Sequence, residues 1–457
     1  MDSIATENQA RAGRYRELLS ASPLLYAPAQ QIPAGAGADA AIQYVLGPLL
    51  AEFVRWVLLS AWQSGQKRLY FLARDGYAMY EAAKICCGAF GLPVDCRYLS
   101  CSRYALRQPL FHTDHRWALE TICTGGRAVT PERVLARAGL PEPERRIVLE
   151  QLDLPYGPNQ ALPPAALAEL RRALSRCNGF LDQMDAHAAA ALPALIQYLI
   201  QEGIVSGRTD AVVDSGWTGT IQETLTRVCT YAGRKHPLEG YYFGLYGLPR
   251  HVERARYRCY YFAPEGDIGR KAHFSSSLFE AVFTAPHGMT VGYRQTAGRY
   301  VPIYTGISEQ ALHRSRQILP QLIAFIRCFA AATDRTDFIH TPFDANRQIL
   351  SRLIHLFMCT PTRAEAAFFG SIPFSDDVVA AGYPPLAAQL NARELRAWRL
   401  LRRHHLGGAV PPRESPWYPG SAVLYGRERL RNLSGYTRYQ YARHLYNTCL
   451  YRKEHRP

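Results

Sequence analysis

Apolar residues recur along this chain at two spacings. Over residues 39–64 they return every three or four positions, which predicts one long helix. The next segment, KRLYFLARDG, is a continuous apolar run that stops at Arg74-Asp75-Gly76, and it reads as a strand ending in a polar turn. YAMYEAAKICCGAF returns to helical spacing, and VDCRYLSCSR predicts a second strand ending in Ser102-Arg103. Residues 104–205 then carry only short helical patterns separated by Pro and Gly, with Thr130-Pro131-Glu132 as a helix start. The strand pattern resumes in TDAVVDSGWTGTIQETLTRVC, which reads as strand, glycine-containing turn and helix, and again in LEGYYFGLYG.

Strands alternating with helices predict a mostly parallel sheet, so the expected class is α/β, Rossmann-like, with a helical insertion and a mainly helical C-terminal region. The expected divisions are a loose leader over 1–38, a first part of the α/β core over 39–103, and the insertion over 104–205. A second part of the core follows over 206–305, then a helical, basic region over 306–457.

Composition changes this picture in three places. Hydrophobic content of 48% and charged content of 20% are those of an ordinary globular chain. The 11 cysteines include no CxxC pair, which predicts reduced thiols in a cytoplasmic protein and neither a disulfide framework nor a zinc site. No secretory leader is expected, and Pro48, Glu52 and Arg55 interrupt the one long apolar stretch. The net charge is +15, and from Arg393 onward 13 Arg and 1 Lys face 4 Glu, an excess of 10. A basic end predicts an anionic partner: Arg interleaved with Tyr and Leu suits an anionic membrane face, and nucleic acid ranks last because no recognised motif accompanies it. Leu430, Leu433, Tyr436 or Thr437, Tyr441 and Leu445 are expected to share one helical face.

In an open parallel sheet, ligands bind beyond the carboxyl ends of the strands. Three strands end there in polar clusters. Arg74 and Arg103 suit bidentate contacts to an anion. Gly76, Ser102, Gly216, Trp217, Thr218, Gly219, Thr220 and Gln222 complete an expected phosphate or substrate cradle, with helix N–H groups behind it. Asp75 and Asp214 are expected as general base or Mg²⁺ ligands. Glu280 and His287, in LFEAVFTAPHGMTVGY, are further catalytic candidates. The competing expectation is a structural ion pair of Arg74 with Asp214, or of Arg103 with Asp75.

Taken together, Gly47–Trp56, YFLARDGY, YLSCSRYALRQPL, VVDSGWTGTIQ and LFEAVFTAPHGMTVGY resemble a group of bacterial proteins described as predicted haloacid dehalogenase-like hydrolases, linked to surface-polysaccharide biosynthesis. The resemblance covers roughly residues 40–305 and matches the region that follows the phosphatase-like domain of that group. It implies an enzyme, a hydrolase or transferase, acting on a phosphorylated sugar or nucleotide-sugar in capsule or lipopolysaccharide assembly. The alternative it leaves is a non-catalytic protein that holds a glycan or nucleotide precursor at the membrane face. Two positions depart from the dehalogenase pattern: Tyr77 stands where a second acid is expected, and Asp214-Ser215 where paired acids are expected.

Overall fold

The computed structural model describes residues 3–124, 129–375, 383–395 and 415–454. Its centre is a five-stranded sheet: β1 (Arg68–Leu72), β2 (Asp95–Leu99), β3 (Asp210–Trp217), β4 (Glu239–Leu245) and β5 (Tyr257–Phe262). The strands lie in the order β2-β1-β3-β4-β5, and every neighbouring pair is parallel. The protein is therefore an α/β, Rossmann-like fold, and strand order reverses between β1 and β3. Phe71, Val213, Tyr241 and Phe243 are buried in the main core, beneath the helix Gly47–Gln63. The longer helical stretch Ala38–Gln63, of which it is the second part, has the length and apolarity of a membrane span but lies mostly buried inside the protein. Its Glu52 and Arg55 pair at 2.8 Å, and Phe338 O and Thr341 O accept from the remaining guanidinium nitrogens.

Between β2 and β3 the chain makes a helical excursion that ends with the helix Asn178–Gln201. It has an apolar cluster of its own, including Phe111, Val134, Leu135, Leu170 and Phe180. Thr130 caps one of its helices by accepting from Arg133 N, with Pro131 in the first turn. After β5, the short helix Ser276–Phe283 leads to an antiparallel hairpin of β6 (Thr290–Thr296) and β7 (Arg299–Tyr304). The described residues beyond 308 are mainly helical.

The expected loose leader is corrected. Ser3–Leu19 and Pro23–Gln30 are helices. Tyr15, Leu19, Leu25 and Ala29 are buried in the main core, and Tyr15 OH donates to Glu365 at 2.7 Å. Ala12, Tyr15 and Leu19 have helical spacing, but the polar residues between them obscure it.

Candidate functional site

The site forms where the carboxyl ends of β1, β2 and β3 meet. After β1 the chain turns through Ala73-Arg74-Asp75, with a cis Ala73–Arg74 peptide bond, into the helix Gly76–Phe90. After β2, Ser102 caps the helix Arg103–Arg107: its hydroxyl oxygen accepts from Ala105 N at 3.0 Å and its O–H donates to Thr290 O at 2.7 Å. β3 leads through Thr218-Gly219 into the helix Thr220–Tyr231. Gly216, Trp217 and Gly219 all have positive φ, at 116°, 77° and 64°. At Gly216 only glycine fits, because a side chain would collide with the Gly244 carbonyl of β4.

These turns enclose a cavity of about 230 Å³. Arg74, Asp75, Ser102, Arg103, Asp214, Gly216, Trp217, Thr218, Thr220 and Glu280 all line it. Glu280 arrives from the helix Ser276–Phe283, and the Trp217 indole N–H donates to its carboxylate. Trp217 is itself packed among Tyr246, Phe262, Phe274 and Phe279, so the bond holds Glu280 from a rigid base. A second cavity, of about 90 Å³, shares Arg74, Asp75 and Glu280 as a common wall.

The three carboxyl groups act on one another. Burial pushes Asp214 well above the usual carboxylate range, and Asp75 and Glu280 push it further; Arg103 opposes them. Burial and then Asp75 raise Glu280 to about 7, against the Trp217 hydrogen bond and both arginines. Asp75 is also raised by burial, opposed first by a hydrogen bond from Ser215. One Asp75 oxygen, Oδ2, is buried with no hydrogen-bond partner among the described residues. Among the described residues no ion pair joins Arg74 to Asp214 or Arg103 to Asp75; the charge of Arg74 lowers Asp75, and that of Arg103 lowers Asp214. Burial first, and for Asp214 and Glu280 the neighbouring acids as well, favours the protonated forms here, and such groups can give or take a proton near neutrality.

Four expected residues lie outside the cavity lining. His287 donates from Nδ1 to Gly288 O at 2.7 Å, so its Nε2 accepts from Tyr98 OH at 2.9 Å. Its ring lies against Tyr304, and burial lowers its pKa. Both nitrogens are thus committed to structural bonds. Gln222 is buried, donates to Leu238 O and accepts from Tyr242 OH, so it braces β4. Gly76 packs on the Phe71 backbone. Gly219 faces away from the cavity: a Cβ there would meet Leu248 and Tyr257 at 2.9 Å, so packing behind the turn selects glycine.

Sequence reasoning did not nominate Ser215, Cys101, Ile221, Met289, Ser375 or Tyr383, which also line the cavity. Ser215 lay beside Asp214 in the turn motif, and position alone could have nominated it. Met289, Ser375 and Tyr383 come from distant loops and carry no periodic signal.

Among the described residues, no group of three or more His, Cys, Asp and Glu side chains is arranged to hold a metal ion. The expectation of Mg²⁺ therefore rests on Asp75 and Asp214, two carboxylates, a number Mg²⁺ commonly takes when phosphate and water complete its shell. No protein-family model matches the chain, and no curated protein matches it.

Proposed function

We propose that this protein is an enzyme of bacterial surface-glycan assembly that acts on a phosphorylated sugar or nucleotide-sugar, by hydrolysis or transfer. The observation that carries the reading is the cavity at the sheet's reversal point, where Arg74 and Arg103 face three carboxyl groups that hold protons unusually well. The arginines and the hydroxyls of Thr218 and Thr220 would receive phosphate oxygens. Glu280, poised near 7, would exchange the proton of the reacting oxygen. The adjoining cavity gives water or an acceptor hydroxyl a place beside Asp75 and Glu280. At about 230 Å³, the main cavity is smaller than the ~300 Å³ at which drug-sized ligand sites begin, which favours a sugar phosphate over the whole of a nucleotide-sugar.

A binding protein without catalysis is the second reading, and acids locked in ion pairs with Arg74 and Arg103 would have favoured it. Glu280, raised by burial to about 7 and so able to exchange a proton near neutrality, supports the enzyme. The test is a thermal-shift screen of sugar phosphates and nucleotide-sugars, with and without Mg²⁺. A ligand at about 100 times its Kd stabilises by about 2.7 kcal/mol. The shift is expected to vanish in Arg74→Met and Arg103→Met. No shift from any compound, or an equal shift in both variants, overturns the reading.

A further inference from the structure

The helix Arg429–Glu454 is attached to the body in an inverted sense. Its buried positions are mostly polar: Asn432, Leu433, Gln440, His444, Thr448 and Tyr451. They are held by specific contacts. His444 stacks on Tyr246 with centroids 5.1 Å apart, Lys271 Nζ donates to Thr448 Oγ1 at 3.4 Å, and Arg452 Nε donates to Glu265 O at 2.8 Å. The outward face of its second half is apolar. Leu445 is 52% exposed, Tyr446 65% and Leu450 39%. An exposed apolar patch on a surface held so firmly marks an interaction site.

Charge selects the occupant. The helix carries six basic residues and one acid, Glu454, which pairs with Arg250 at 3.3 Å. At helical spacing Arg438 and Lys453 fall within the angular span of the outward apolar face, before and after it along the helix axis, while Arg443 and Arg452 fall on its flanks. A second copy of this chain would bring the same excess of positive charge to the patch, and the two faces would repel. An anionic bilayer complements both properties at once. Its phosphates meet the guanidinium groups, and its interfacial zone accepts Leu445, Leu450 and the amphipathic ring of Tyr446.

We propose that the outward face of the helix Arg429–Glu454 seats this protein on anionic lipid bilayers, with Leu445, Tyr446 and Leu450 entering the interface and Arg438 and Arg443 contacting lipid phosphates. Arg443 and Arg438 supply attraction at a distance, and the apolar residues supply retention. Attraction alone would be screened within about 10 Å at 0.1 M salt.

The test is co-sedimentation of the full chain with vesicles of phosphatidylcholine containing about one-third phosphatidylserine, a fraction that gives a negative surface. Binding is expected at low salt, weaker at high salt, and absent on pure phosphatidylcholine. Replacing Leu445, Tyr446 and Leu450 together with Gln leaves the charge unchanged and is expected to weaken binding at least about tenfold, because it removes the apolar area that enters the interface. Replacing Arg438 and Arg443 with Gln is expected to weaken binding and to flatten its salt dependence. All five side chains are exposed, so unchanged melting temperatures will show that the variants fold. Absence of binding at low salt, or equal binding by the triple-Gln variant, overturns the proposal. So does a wild-type dimer in sedimentation velocity that the triple-Gln variant dissociates, because the patch would then belong to a second copy.

Discussion

Strand β3 carries two aspartates four residues apart, Asp210 and Asp214, and each is 5% exposed. Their surroundings differ completely. Asp210 receives Arg234 Nη1 at 3.0 Å, and Ile204 O and His236 O take other hydrogens of that guanidinium. Asp214 has no ion pair among the described residues and has two other acids as neighbours. One strand thus buries a matched charge at its start and an unmatched one near its end. The same contrast separates Glu52, matched by Arg55 and Asn346, from Glu280, which faces Asp75. Burial alone does not distinguish structure from function; the partner does. A buried acid met by a cation is part of the scaffold, and a buried acid met by other acids is available for chemistry.

The contrast can be broken at either end of the strand. Arg234→Met leaves Asp210 buried without its counter-charge and is expected to cost about 3–5 kcal/mol of stability, read from the urea midpoint. A loss under about 1 kcal/mol would erase the difference between the two ends, since exposed pairs are worth no more.

Asp214→Asn is expected to act in the opposite way. Because the folded state raises the Asp214 pKa, its favourable contribution is present at low pH and is lost as pH rises through the folded value. The variant is therefore expected to melt no lower than wild type at pH 8, and turnover of the substrate found by the thermal-shift screen should fall roughly 10²-fold. Wild-type turnover in the variant would remove Asp214 from the chemistry.

The smallest expected effect sharpens the comparison. Sulfate keeps its charge between pH 6 and 8, and it would compete with the ionised Glu280 carboxylate for Arg74 and Arg103. Protonating Glu280, near pH 7, removes that competition. Sulfate affinity measured by calorimetry is thus expected to rise up to about tenfold from pH 8 to pH 6, equal to about 1.4 kcal/mol. Glu280→Gln should flatten that dependence, and an equally steep profile in the variant would assign it to another group.

The strand ends were legible in the sequence because each was an apolar run stopped by polar residues, and strand direction then brought Asp75, Arg103 and Asp214 to one edge. Glu280 was legible only as part of a motif, since nothing in helical spacing says that the helix Ser276–Phe283 crosses that edge. Gly219 was recognisable as a turn glycine, but the sequence does not say which side of the turn is crowded. The same limit applies to the basic helix. Its apolar positions do share a face, yet Leu433 is buried while Leu430 and Leu445 are exposed. Periodicity identifies neighbours on a helix, and only the packed fold decides which of them the body covers.

The strand order β2-β1-β3 also has a consequence for a chain still being made. Asp75 leaves the ribosome early, Asp214 follows only after the whole helical excursion, and Glu280 comes after β5 is complete. A nascent chain that ends at β5 has every strand of the sheet and two of the three acids. The crowding of charge in the cavity is therefore completed only after every strand of the sheet has been synthesised. The scaffold's matched pair at Asp210 and Arg234 is complete well before the unmatched cluster it supports.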